Sequence, residues 1–228
     1  MLLRHELDGV AAKYPLRKKM VVVGHSMGGC ISRLMLTDTG DKIWTEIFTK
    51  TPEQTPMSPE SKKLFTEALI FKHRPEIGRV VFVASPLKGS ELATHWVGRF
   101  ASSLVKSPVT LLKAGGDAMK LIAHQPGGLG LKRIPNSVDT LAPNNRFVMA
   151  INTVPLTPGI PYHVIGGDRG KGGNKDKTKP VMSDGVVPYW SYHMDGAKSE
   201  LIVPSSHSAH QNPQAIAEVQ RILRLNAH

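Results

Sequence analysis

A chain of 228 residues, 40% hydrophobic and 21% charged, can bury a core unaided and is not a wholly disordered protein. It has no run of about eighteen apolar residues, which excludes a spanning helix. Its one cysteine, Cys30, excludes an intrachain disulfide framework and any cysteine-rich zinc site.

Twenty-nine basic against 18 acidic residues leave a net charge of +11, a balance that suits anionic partners. The cations are scattered, however. The densest stretch runs from Arg169 to Lys179, where Lys171, Lys175 and Lys177 alternate with glycines and aspartates. No aromatic residue interleaves them, so no specific nucleic-acid partner is expected. Two readings remain for this stretch: a solvated loop, or a weak contact for anionic lipid surfaces. The first residues, MLLRHELDGV, are too charged for a secretory signal, and as written the chain is expected to be cytoplasmic.

In chain order, residues 3–13 have helical apolar spacing, and Tyr14-Pro15 ends them. Met20-Val21-Val22-Val23 reads as a strand buried on both faces. Gly24-His25-Ser26-Met27-Gly28-Gly29 follows at once, and Cys30 to Leu36 reads as a helix. Residues 37–60 are loop with a short helix near Trp44 to Phe48, and 61–73 are helical. Arg79 to Val83 is a second buried strand, ending in Ala84-Ser85-Pro86-Leu87-Lys88-Gly89-Ser90. Residues 91–125 read as amphipathic helix pieces, and 126–160 as mostly loop. Tyr162 to Gly166 and Leu201 to Val203 are the third and fourth strands. Asn212-Pro213 opens a last helix with Ile216, Val219, Ile222 and Leu223 on its apolar face. Short buried strands alternating with helices predict an α/β fold with a mostly parallel sheet. Sites in such sheets lie at the carboxyl ends of the strands.

Gly24-His25-Ser26-Met27-Gly28 fits G-x-S-x-G and stands between strand and helix, where a nucleophile elbow has to be. A sharp turn there forces the serine into a strained backbone, and the glycines on either side remove clashing side chains. The N–H of Met27 then points toward an oxyanion bound at the serine. No lysine follows the glycines, which excludes a Walker A phosphate loop.

With Val21-Val22-Val23 before it, this elbow resembles the serine lipases and esterases of the α/β-hydrolase superfamily. Ser183-Asp184-Gly185-Val186-Val187-Pro188 through Ser206-His207 resembles the acid and histidine region of bacterial lipase-like members, and Ala84 to Ser90 resembles their post-strand loop. The resemblance implies a three-layer α/β-hydrolase-like fold and hydrolysis of carboxylic esters through an acyl-enzyme on Ser26, with the chain order serine, acid, histidine. His207 is then the candidate base, with His210 its rival. Asp184 is the candidate acid, with Asp168 and Asp195 its rivals. His25 is expected to pack beside the elbow or line the oxyanion pocket, and His163 to be a core or supporting residue. Cys30 reads as a small buried hydrophobe. No H-E-x-x-H and no paired carboxylate spacing suggest a metal, and no cofactor is expected. Some bacterial lipases carry a calcium ligand after the histidine; Ser208-Ala209-His210 offers no carboxylate for one.

The chain reads as one domain, 1–228, with a core of about 1–90 and 160–228 and a helical cap over about 91–160. Leu92, Trp96, Phe100, Leu104, Leu111, Leu112, Met119 and Ile122 form an apolar stripe that either binds an acyl chain or packs on the sheet. Superfamily members carry several strands before the elbow strand, whereas here one helix precedes Met20. The fold is therefore expected to be N-terminally truncated, leaving the elbow strand as an edge through which a second copy can pair. The loss of the loop that supplies a second oxyanion donor would cost about 3 kcal/mol of barrier. A thioesterase, amidase or acyltransferase shares the same acyl-enzyme chemistry, and a non-catalytic binding module is the reading from a different class.

Overall fold

The computed structural model describes residues 2–14, 18–90, 146–170 and 182–227. Four strands form one wholly parallel sheet in the order β1 (Met20–His25), β2 (Ile77–Val83), β3 (Tyr162–Asp168) and β4 (Ser199–Pro204). The helices are α1 (Leu2–Lys13), α2 (Met27–Leu34), α3 (Lys42–Phe48), α4 (Pro59–Leu69), α5 (Arg146–Thr153), α6 (Tyr189–Tyr192) and α7 (Pro213–Ala227), with a 3₁₀ turn at Ala209–Gln211. The expected α/β class is what forms. The cap helices, the apolar stripe from Leu92 to Ile122 and most of the basic stretch lie outside the described residues.

Alternation along the strands builds the layers. Val80, Phe82 and Val164 face one side, where they pack with Leu7, Leu36, Leu87, Val187 and Tyr192. Val81, Val83, Ile165 and Val203 face the other, under Ala215 and Ile222 of α7. A satellite core of Ile43, Trp44, Phe48, Leu69 and Ile151 ties α3, α4 and α5 together. Local signals set the helix ends: the Ser58 hydroxyl accepts from Ser61 N at 3.2 Å with Pro59 in the first turn, and Asn212 Oδ1 accepts from Gln214 N at 2.9 Å.

Two expectations need correction. Residues 146–153 form helix α5 rather than loop, because Phe147, Ala150, Ile151 and Val154 find an apolar partner in α3. And β1 is not buried on both faces: Val23 is 46% exposed, since among the described residues β1 has a neighbour on one side only.

His163, buried in mid-β3, belongs to a polar chain. Arg79 Nη1 donates to His163 Nε2 at 2.7 Å, which makes the ring neutral with its proton on Nδ1. Nδ1–H donates to Ser199 Oγ at 2.7 Å, and the Ser199 hydroxyl donates to Glu218 Oε1 at 2.7 Å. Burial, with the Arg79 charge next to it, pushes His163 down to about 4.

Candidate active site

Ser26 stands between the end of β1 and the first turn of α2 with φ 55° and ψ −127°, a conformation costing about 1–3 kcal/mol that the surroundings must impose. Ser26 N donates to Val83 O at 2.9 Å, and Gly29 N donates to Ser26 O at 3.0 Å, so sheet and helix both hold the turn. A Cβ on Gly24 would lie 2.6 Å from the Gly29 backbone, and one on Gly29 would meet Ser85 Oγ at 1.9 Å. Gly28, the motif's second glycine, has open space around it. The close approach of helix to strand therefore rests on Gly24 and Gly29, not on the pair that flanks the serine.

His207 follows β4, and its side chain is 8% exposed. The Ser26 hydroxyl lies 2.8 Å from His207 Nε2, and His207 Nδ1 lies 2.9 Å from Asp184 Oδ2. Asp184 is held by its own turn: Oδ1 accepts from Val186 N at 2.7 Å and Val187 N at 2.6 Å, leaving Oδ2 for the imidazole. That turn needs Gly185, whose φ is +93° and whose Cβ position would lie 2.6 Å from Arg169 Nη1. Three residues from three separate loops thus meet at the carboxyl ends of the strands. With Nδ1–H donating to the carboxylate, Nε2 is the acceptor that faces the serine hydroxyl.

The rivals lie elsewhere. Asp168 Oδ1 accepts from Gly170 N at 2.9 Å in its own turn. Asp195 has a 97% exposed side chain near His193. His210, in the 3₁₀ turn, packs against His25 with ring centroids 4.1 Å apart and the planes tilted by 54°. His25 Nε2 donates to the His207 carbonyl at 2.9 Å, a link that neither packing beside the elbow nor lining the oxyanion pocket describes. Burial holds His25 below the ordinary histidine range, so it is neutral at pH 7.

Beside α2, an apolar cavity of about 120 Å³ lies against the post-β2 loop and α5, lined by Met27, Cys30, Ile31, Leu87, Phe147 and Ile151. Burial pushes the Cys30 thiol up to about 12, which keeps it protonated and non-nucleophilic. Among the described residues no group of three His, Cys, Asp or Glu side chains is placed to hold a metal, and no helix is long and apolar enough to cross a membrane.

Residues 4–69, which include β1, the elbow and α2, match the family model of the PGAP1-like alpha/beta domain. Three solved structures are similar to the chain. The Bacillus licheniformis lipase BlEst2 in mature form is 15% identical with a TM-score of 0.49, over 97% of this chain and 71% of that one. The Staphylococcus hyicus lipase is 15% identical with a TM-score of 0.48, over 90% and 69%. The metagenomic carboxyl esterase MGS0156 is 16% identical with a TM-score of 0.45, over 88% of this chain and 48% of that one, so the chain spans about half its length. No curated protein sequence matches the chain significantly. The parallel sheet with its strand–elbow–helix unit is an α/β-hydrolase-type fold.

Proposed function

We propose that the chain is a serine hydrolase that cleaves carboxylic esters. The observation that carries this reading is the unbroken contact from Ser26 Oγ through His207 to Asp184, at 2.8 Å and 2.9 Å. Ser26 Oγ attacks the acyl carbonyl while His207 Nε2 takes its proton. Asp184 keeps the proton on Nδ1 and stabilises the imidazolium that forms. The tetrahedral oxyanion accepts from the N–H of Met27, the first residue of α2, where the helix N-terminus adds positive potential. His207 then returns the proton to the leaving alkoxide, an acyl-Ser26 ester remains, and a water activated by His207 releases the acid.

The apolar cavity against α2 supports a place for the acyl group, since Met27 belongs to both the cavity wall and the oxyanion turn. The same relay serves thioesters or amides, and the leaving group decides among them.

Hydrolysis of p-nitrophenyl esters of short and long acids tests the proposal, with Ser26→Ala as control. Turnover lost in Ser26→Ala, by about 10⁶-fold in kcat, supports it. Equal rates for the two proteins overturn it.

A further inference from the structure

At the amino ends of β3 and β4, opposite the candidate active site, lies a cavity of about 570 Å³. Arg33, Asn152, Thr157 and Lys198 line it on the polar side, and Leu156 and Ile160 are among its apolar residues. None of its described lining residues is acidic. Asp195, the neighbouring carboxylate in sequence, is 97% exposed and sits against His193.

Arg33, which also borders the apolar cavity beside α2, gives this cavity its character. The residue is 5% exposed, yet among the described residues no carboxylate pairs with it. Its Nη1 donates to Asn152 Oδ1 at 2.8 Å and Leu87 O at 3.4 Å, and its Nη2 donates to Ile151 O at 3.2 Å. A guanidinium has five N–H donors. Three are used, while Nε is buried without an acceptor. The Thr157 hydroxyl is likewise buried and unpaired. A buried cation short of both counter-charge and acceptors is costly unless something supplies them. A carboxylate does so in one step, since it accepts two parallel N–H bonds from one edge of a guanidinium.

We propose that this cavity binds a small organic carboxylate, its charged end at Arg33, Thr157 and Lys198 and its apolar body against Leu156 and Ile160. The apolar wall favours an acid with a hydrocarbon body over a bare inorganic anion. The Pro-rich segment that forms this wall, residues 154–161, is stiff, so little ordering is needed on binding.

Calorimetric titration of the purified chain with octanoate tests this, beside acetate and inorganic phosphate. The expected result is saturable uptake of one octanoate per chain, weaker uptake of the other two, and a melting temperature that rises with octanoate concentration. Lys198→Met should weaken octanoate about threefold. Arg33→Met should weaken it about tenfold or more. Because Arg33 also ties α2 to α5, Ile160→Asp provides a second variant, placing a repelling carboxylate in the cavity without touching those bonds.

Absence of binding, binding unchanged in both Lys198→Met and Ile160→Asp, or binding blocked by a fluorophosphonate on Ser26 would each overturn the assignment. Phosphate bound as tightly as octanoate would overturn the organic body. None of these measurements reads turnover, so their failure is separate from failure of the ester-hydrolase proposal.

Discussion

The Nε2–H of His25 donates to the main-chain oxygen of His207 at 2.9 Å. One residue thus joins the nucleophile's turn to the base's loop, because His25 is bonded in sequence to Ser26 and in space to His207. Its tilted contact with the His210 ring packs the imidazole on its other side. A neutral side-chain hydrogen bond contributes about 1 kcal/mol, so His25→Phe should lower kcat about fivefold. His25→Gln, which keeps a donor, should recover much of the loss. Ester-hydrolysis kinetics of both variants check this; equal losses would mean that ring volume, not the bond, holds the loop.

Choice between the carboxylates can be read from two substitutions. Asp184→Asn should lower kcat by about 10⁴-fold, because an amide favours the wrong tautomer of His207. Asp168→Asn, which alters only a local turn bond, should leave kcat close to that of the parent. A large loss in the second variant would move the acid to the end of β3.

The two glycines after the serine should behave oppositely. Gly29→Ala drives a methyl into Ser85 and should cost about 1–3 kcal/mol or more, whereas Gly28→Ala meets open space and should leave the fold intact. Urea midpoints of the two variants give the comparison directly.

Acid should weaken the fold through His163. Its folded value is about 4 against about 6.5 when free, so below pH 6.5 the unfolded chain takes up the proton first. The stability this confers is complete above pH 6.5 and is lost as pH falls toward 4. Each pH unit inside that window removes up to about 1.4 kcal/mol for one proton. Unfolding free energies at pH 7.5, 5.5 and 4.5 should show a shallower decline in His163→Phe than in the parent, even though the variant starts lower.

Much of the scaffold was legible because valine-rich runs bounded by glycine and proline have few alternatives to a parallel strand. The elbow was legible because the motif stood at a strand-to-helix junction. Position after the fourth strand placed His207 at a carboxyl end of the sheet, whereas Asp184 was chosen through the resemblance of its Asp-Gly-Val-Val-Pro setting. What escaped has a common cause. Val21 to Val23 read the same whether both sides of a strand are covered or one, so the run itself suggested burial on both faces although the strand was also expected to lie at an edge. The motif pointed to Gly28, yet the demanding contact falls on Gly29, because Ser85 arrives there from 56 residues away. Arg146–Thr153 is short and flanked by loop-forming residues, and only the apolar face of α3 makes it a helix. The His25 bond depends on where the His207 main chain turns, which no local pattern records.

The one-sided pairing of β1 sorts its amide protons by parity. Met20 N donates to Glu76 O at 2.7 Å and Ser26 N to Val83 O at 2.9 Å, so the even-numbered amides of this strand face β2. The N–H groups of Val21, Val23 and His25 then face the side on which β1 has no strand neighbour among the described residues. In heavy water, deuterium should enter these three positions quickly and enter Val22 and Gly24 slowly. The result is a two-residue rhythm along the strand that delivers Ser26, with slow and fast solvent exchange meeting at the residue beside the nucleophile.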